Sequence, residues 1–444
     1  MTDIAGHSLI NPRSITPLKL VLTMCAVWAA FVLMAPLELY MSPDTYPYVM
    51  LGGCLLGMLA GFIVFEPSRI PDVVIDRGAR HDYLRQIYQL AFILGMLGIM
   101  LRLADWALFR GLSIDAGIFE NREKVETAGA SAFSMASTLL VPFTLVPYMI
   151  YAVARRNGER VGSAWTSIGL ALLWPMLTVV IGSRSTMFMS IGMLMISRLI
   201  IFPRTSKKII FFCATILLAM IYLGGLLFIQ RISEYGFNIE SSIRFSAFTQ
   251  LAPVSQSYFS SVSGLPDWQR DTVFIFTTFV QYFVHGTPEF FHLVEHYRNG
   301  DQFGGYSFNV FVRLAYSLWG VPFDGEAVTF STPRVGVYTT LFGPFYVDFG
   351  PFAPFVSFLF GAAISWTRRR VLMGDIGALP LYVCFLMQAA AAIIVNTIMN
   401  AYGIFYNLAF LLFWIGVATM SHQPGTVRPV SATDTSAQQT DQTA

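Results

Sequence analysis

The chain has 444 residues, 55% of them hydrophobic and 12% charged, with a formal net charge of +2 and a mean hydropathy of +0.59. A soluble domain carries about 25% charged residues, so composition excludes an ordinary water-soluble fold, and the small net charge excludes a nucleic-acid partner held by bulk electrostatics. Many separate apolar runs of about 20 residues predict an all-α polytopic membrane protein.

Residues 1–17 form a short N-terminal segment with Arg13 just before the first apolar run, 18–38. That run is too long for a signal-peptide core, so it is read as the first span. Further spans are expected at about 47–65, 86–109, 131–153, 163–181, 186–202 and 209–230, giving a seven-span bundle over 18–230. The loops at 66–85, 154–162 and 203–208 carry Arg69, Arg77, Arg80, Arg85, Arg155, Arg156, Arg160, Arg204, Lys207 and Lys208, while 38–46 has no Lys or Arg. The alternation puts the basic loops and the N-terminus inside, and it puts 38–46 and the turn at 182–186 outside.

From 231 to 340 the apolar runs are interrupted, and this interval is expected to be one large outer loop with interfacial helices. Three more spans follow at about 341–366, 376–397 and 401–420, the first ending at Arg368-Arg369-Arg370. The tail 421–444 is rich in Thr, Ser, Gln and Asp and should be disordered. The count is ten spans, or twelve if the apolar segments 272–292 and 305–322 cross as a pair; His285, Pro288 and Arg313 within them argue for surface or dipping helices. Cys25, Cys54, Cys213 and Cys384 all sit in apolar runs without metal-like spacing and are read as packing residues.

Between 231 and 350 there are six arginines and no lysine. Guanidinium makes paired hydrogen bonds to phosphate oxygens, whereas ammonium acts as a point charge. The whole chain favours Arg over Lys, 24 to 4, so position carries the weight. Arg231 lies where the seventh span exits, Arg334 just before the eighth begins, and Arg184 in an outer turn, Gly182-Ser183-Arg184-Ser185-Thr186, where it works either as a lipid-bound snorkelling residue or as a phosphate site aided by free helix amides. Arg244 and Arg313 come next, and Arg270 and Arg298 look like surface charges. Glu289, His292 and His296 share one helix face; the His-x-x-x-His spacing lacks the flanking glutamate of a zinc-protease motif, and no metal site is assigned. His285, at a helix break beside Gly286 and Pro288, is the preferred general base. Aromatics such as Tyr282 and Tyr338 suit sugar stacking as well as an interfacial belt. Asp348 is best read as a capping or arginine-pairing carboxylate.

The hairpin Ile181-Gly182-Ser183-Arg184 and the segment Tyr338-Thr339-Thr340-Leu341-Phe342-Gly343-Pro344-Phe345-Tyr346-Val347-Asp348-Phe349-Gly350 resemble the Wzy-type O-antigen or oligosaccharide repeat-unit polymerases. In that family a G-S-R turn precedes a large outer loop and a T-x-x-G…Y-x-D-F-G element opens the next span. The chain departs in having Pro351-Phe352-Ala353 where a further glycine is common. The resemblance implies a glycosyltransferase fold of the lipid-carrier C class. It implies an enzyme of the bacterial inner membrane, active at the periplasmic face, that moves a growing glycan from polyprenyl diphosphate to the non-reducing sugar of a new lipid-linked unit. Neither metal, nucleotide sugar nor other cofactor is expected. Partners would be the polyprenyl-diphosphate-linked oligosaccharide, membrane lipid, and a chain-length regulator and flippase of the same pathway.

On this reading Arg184, Arg231, Arg334 and His285 are catalytic, the arginines stabilising the departing diphosphate. Arg244, Arg313, Tyr282, Tyr338 and Asp348 bind substrate. Two alternatives stay open: an O-antigen ligase, with the same donor and another acceptor, and a transporter or flippase of lipid-linked sugars, for which mid-span charges and internal repeats would be expected.

Overall fold

A computed structural model describes residues 9–10, 15–66, 77–113, 117–129, 131–181, 183–202, 207–234, 236, 239–297, 302–320, 324–399 and 403–420. The expected tail 421–444, most of the N-terminal segment, and the basic positions Arg69, Arg204 and Arg298 lie outside the described residues, as do the side chains of Arg77, Arg80, Lys207, Lys208 and Cys213. The described residues are helical apart from turns and one isolated antiparallel bridge, Leu37 to Val254.

The chain opens with α1 (Pro17–Met34), α2 (Tyr46–Val64) and α3 (Arg77–Ala104), the last continued by a π-helical turn at Asp105–Arg110. Then come α4 (Ile118–Thr127), α5 (Ala132–Leu140), α6 (Val146–Arg156), α7 (Ala164–Leu177), α8 (Arg184–Ile201) and α9 (Lys207–Glu234). The interrupted interval folds into α10 (Ile239–Phe245), α11 (Gln256–Ser263), α12 (Asp267–Val284), α13 (Gly286–His296), α14 (Asn309–Leu318) and α15 (Gly325–Phe330). The chain closes with α16 (Phe342–Phe349), α17 (Ala353–Leu372), α18 (Ala378–Ala390) and α19 (Gly403–Met420).

Seven segments among the described residues are long and apolar enough to cross a membrane: Pro17–Met34, Tyr46–Val64, His81–Arg110, Ala132–Arg156, Ala164–Ile181, Phe342–Leu372 and Gly403–Met420. This is a membrane protein. Three shorter apolar helices, Ser185–Ile201, Ala214–Gln230 and Ala378–Ala390, fall on the other three expected spans, and none of α10 to α15 is among the seven.

Local sequence explains the starts and breaks. Pro17 fits the first turn of α1, and Thr16 caps it by accepting from the Lys19 amide at 3.3 Å. Ser131 and Ser134 form a reciprocal capping box at α5. The expected single span 131–153 is two helices joined by a 3₁₀ turn at Val141–Leu145, because Pro142 and Pro147 cannot donate to the ladder. Likewise the span that opens at 341 is broken at Gly350 (φ 52°) and Pro351 into α16 and α17.

Close packing is set by glycine. Along α2, Gly53, Gly57 and Gly61 recur every four residues and face α17. A Cβ on Gly57 would stand 2.3 Å from the Pro354 carbonyl oxygen, and one on Gly61 2.3 Å from that of Phe358. Without a hydrophobic drive between helices in lipid, such backbone approach is what holds spans together. The two helices run parallel: Pro354 meets Gly53 near their starts, Ser365 donates to Phe62 O at 3.0 Å, and Arg368 pairs with Glu66 near their ends.

Candidate functional site

The interval after α9 is docked on the end of the bundle where α1 finishes and α2 begins. The connection 35–45 lies antiparallel to 251–255, with Glu38 N donating to Pro253 O at 2.9 Å and Tyr40 N to Leu251 O at 2.8 Å. Helix α13 lies against the start of α2, its Phe291 ring 4.5 Å from that of Tyr48. Its far end is tied down by Glu295, which accepts from both Tyr40 and Ser42. Burial alone would raise the Glu295 carboxyl, yet those two hydrogen bonds hold it below the usual range.

At the near end of α13 three stretches of chain converge. Gly286 O accepts from Thr340 N at 3.3 Å, Leu341 N donates to Ala392 O at 2.8 Å, and Asn396 N donates to Thr339 O at 2.9 Å. Gly286 is required there, since a Cβ would sit 2.2 Å from Ile394 O. The break between α12 and α13 thus brings the backbone at Gly286 against Thr340, and the side chains of His285, Thr287, Glu289 and Thr340 are all buried around that junction.

The groups buried here are polar and under-bonded. His285 is 0% exposed. Its Nδ1 donates to the Tyr282 carbonyl at 2.8 Å, and its Nε2 is buried without a hydrogen-bond partner. Burial drives the imidazole down to about 4, so the ring is neutral at physiological pH. The hydroxyls of Thr287 and Thr340 and Oε1 of Glu289 are also buried without hydrogen-bond partners. Buried polar atoms are normally satisfied, and a group of orphans in one place points to something that binds there. Aromatic rings pack on this cluster: Phe248 lies 4.2 Å and Tyr282 5.3 Å from the His285 ring, and Tyr282 lies 6.2 Å from the half-exposed Tyr338.

Arg334 completes the cluster. Its Nε stands 2.9 Å from Glu289 Oε2, with the carboxylate side chain 1% exposed and the guanidinium side chain 15%. Its two terminal nitrogens donate to Gln250 and to the Ala247 carbonyl. One guanidinium therefore ties the segment before α16 to α13 and to the turn after α10. Burial pushes the Glu289 carboxyl up to about 7 even with Arg334 beside it. A carboxyl poised there exchanges a proton readily near neutral pH.

Of the nine residues expected to form the site, the structure brings together Arg334, His285, Tyr282 and Tyr338. Asp348 is fully buried and spends both oxygens on backbone amides, accepting from Tyr306 N and Ser307 N at 2.9 Å each, so it caps the 302–308 turn. Arg244 lies 3.7 Å from Glu240, with its guanidinium 4.0 Å over the Phe259 ring, and lines a separate cavity of about 290 Å³ with Thr249 and Gln256. Arg184 is the first residue of α8, Arg231 lies in the last turns of α9 and Arg313 in α14; their side chains are outside the described residues. Arg270 pairs with Asp267 and Asp271 on the surface of α12. His292 and His296 stack at 4.1 Å, and among the described residues no group of three metal-ligating side chains forms.

Glu289 is the residue that sequence reasoning passed over. It was visible as one member of a polar helix face, and its spacing four residues after His285 was the available signal. Nothing local indicated that this face turns inward onto Arg334.

No known protein family matches the chain, and no curated protein or solved structure is detectably similar to it.

Proposed function

We propose that this protein is a membrane glycosyltransferase that polymerises lipid-linked oligosaccharide repeat units at the outer face of the bacterial inner membrane. The donor is a glycan on polyprenyl diphosphate, and the acceptor is the terminal sugar hydroxyl of a new lipid-linked unit. The observation that supports this best is the buried polar cluster of Arg334, Glu289 and His285. It lies at the end of the bundle away from the basic ends of α6 (Arg155, Arg156) and α17 (Arg368 to Arg370), the end that the charge bias assigns to the outside.

The chemistry fits that place. A leaving diphosphate needs guanidinium groups where its charge develops, and an acceptor hydroxyl needs a base and hydrogen-bonding neighbours that exclude water. The ten-span topology, with α10 to α15 as an outer assembly, belongs to the same proposal. So do the assignments of Arg184, Arg231 and Arg313 to diphosphate contacts and of Tyr282 and Tyr338 to sugar contacts.

Deleting the gene and resolving surface polysaccharide on a gel tests the reading. A polymerase leaves single-unit product where the parent strain shows a ladder, and complementation restores the ladder. Loss of all surface sugar would indicate a ligase or a flippase, and an unchanged ladder would overturn the assignment.

A further inference from the structure

The Arg334–Glu289 pair raises a difficulty for a guanidinium that is meant to receive a diphosphate, because its Nε already faces a buried carboxylate. The second carboxylate oxygen, Oε1, is buried without a hydrogen-bond partner, as is Nε2 of His285 one helical turn earlier. One side of Glu289 is thus held by the cation and the other is free to receive a proton. We propose that Arg334 is exchanged between Glu289 and the diphosphate of the lipid-linked donor, so that donor binding removes the counter-ion from Glu289 and its carboxylate takes the proton of the acceptor hydroxyl. This rests on the polymerase reading.

Two physical arguments carry it. A dianionic diphosphate outcompetes Glu289 for the guanidinium, since it offers more charge and can take paired hydrogen bonds where Glu289 makes a single contact. A carboxylate left alone in a dry site is far more basic than one paired with a cation. The hand-over therefore makes the base strongest only when the donor is in place. In the transfer, the acceptor oxygen forms its bond to the anomeric carbon with a lone pair. The bond from that carbon to the diphosphate oxygen breaks, and its electron pair leaves on the diphosphate. The hydroxyl proton goes to Glu289 and from there to water. His285, neutral and fixed by Tyr282, can orient the acceptor through Nε2.

The carboxyl value near 7 fits a pair that opens readily. Arg334 is the charge acting on Glu289, and it also bears on His285 from the end of α12 and on His292 of α13. Glu295 and His296 act on His292, and the Glu240–Arg244 pair stands on α10 beyond the turn that Arg334 grips. Removing the charge of Glu289 alone separates its contribution from all of these.

Farnesyl diphosphate, a short isoprenyl diphosphate, is the probe, with binding to the purified full-length protein measured by calorimetry. At pH 8, where Glu289 is ionised and holds Arg334, the wild type should bind up to about tenfold more weakly than Glu289→Gln, because the diphosphate must first displace the carboxylate. At pH 6 the two should agree within about twofold. Membranes charged with the single-unit lipid from the deletion strain should then show Glu289→Gln polymerising at least about 100-fold more slowly in kcat, with KM unchanged or lower. Glu289→Met, similar in size and never charged, serves if Glu289→Gln does not fold. Equal or weaker binding by the uncharged variants at pH 8 would overturn the exchange. Tighter binding with undiminished polymerisation would overturn the role as base. If instead the wild-type gene fails to restore a ladder, the polymerase reading falls, whatever the binding shows.

Discussion

Arg334 Nε and Glu289 Oε2 face each other at 2.9 Å across 45 residues of sequence, with the carboxylate side chain only 1% exposed. Removing one partner of such a pair leaves the other buried and alone, at a cost of about 3–5 kcal/mol when it is charged. Glu289 can escape that cost by taking a proton. Arg334→Gln should therefore lower the melting temperature in detergent more at pH 8 than at pH 6. The double variant with Glu289→Gln should recover part of the loss at pH 8, and purely additive losses would show the pair to be uncoupled.

His285 titrates near 4, below the ordinary imidazole value of about 6.5. A depressed group contributes stability that is present above the unfolded value and is lost as pH falls through the folded one. The loss should run from pH 6.5 down to about 4 and reach about 3 kcal/mol. Glu289 works the other way, its contribution being present below about 4.5 and lost as pH rises through about 7. Melting curves of His285→Gln against the wild type over that range isolate the histidine: the variant should lose less stability on acidification.

Asp348 bonds two backbone amides with its two oxygens. In Asp348→Ala both amides lose their acceptor, at about 2–4 kcal/mol in total. Asp348→Asn keeps one acceptor and should cost about half as much. Limited proteolysis should find 302–308 newly cut in the alanine variant, and an unchanged digest would show that other contacts hold that turn.

The seam between α2 and α17 separates glycines by position. Gly61→Ala puts a methyl against the Phe358 carbonyl and should destabilise by about 1–3 kcal/mol. Gly52, where an added Cβ meets nothing within 4 Å, should accept alanine and gain about 0.5–1 kcal/mol of helix stability. Melting temperatures in detergent distinguish the two, and equal effects would argue against the seam.

Arg184 opens α8 at the same end of the bundle as the candidate site. Arg184→Lys keeps the charge but cannot make paired hydrogen bonds to a phosphate, so on the proposed polymerase function the polysaccharide ladder should disappear at normal protein level. A full ladder from this variant would remove Arg184 from the site.

The helices were legible because apolar runs of membrane length carry their own signature, and several breaks sit at a proline or glycine already visible, as at Pro142 or Gly350-Pro351, whereas the span expected over 376–397 ends as a helix at Ala390 with neither residue there. The site was legible only in fragments. Arg334, His285, Tyr282 and Tyr338 stood out by residue type and place, but Glu289 looked like solvent-facing polarity, because burial of a helix face is decided by what packs on it from elsewhere. Asp348 shows the same limit from the other side. A helix-capping or arginine-pairing carboxylate was the local reading, whereas the amides it binds belong to a turn 41 and 42 residues earlier. The four-residue glycine repeat of α2 could be seen in the sequence, but its partner could not.

The parallel course of α2 and α17 also restricts how the chain is made. Parallel neighbours cannot be joined by a hairpin, so an odd number of crossings must separate them, a condition met by ten spans and by twelve. Phe62 and Ser365, which bond across the seam, are 303 residues apart. At roughly 5–20 residues per second, α2 waits about 15–60 s in the membrane with its glycine face open before α17 is synthesised. Helix α13 meets α2 well before that, so the wall of the candidate site is assembled on a helix whose own anchor has yet to arrive.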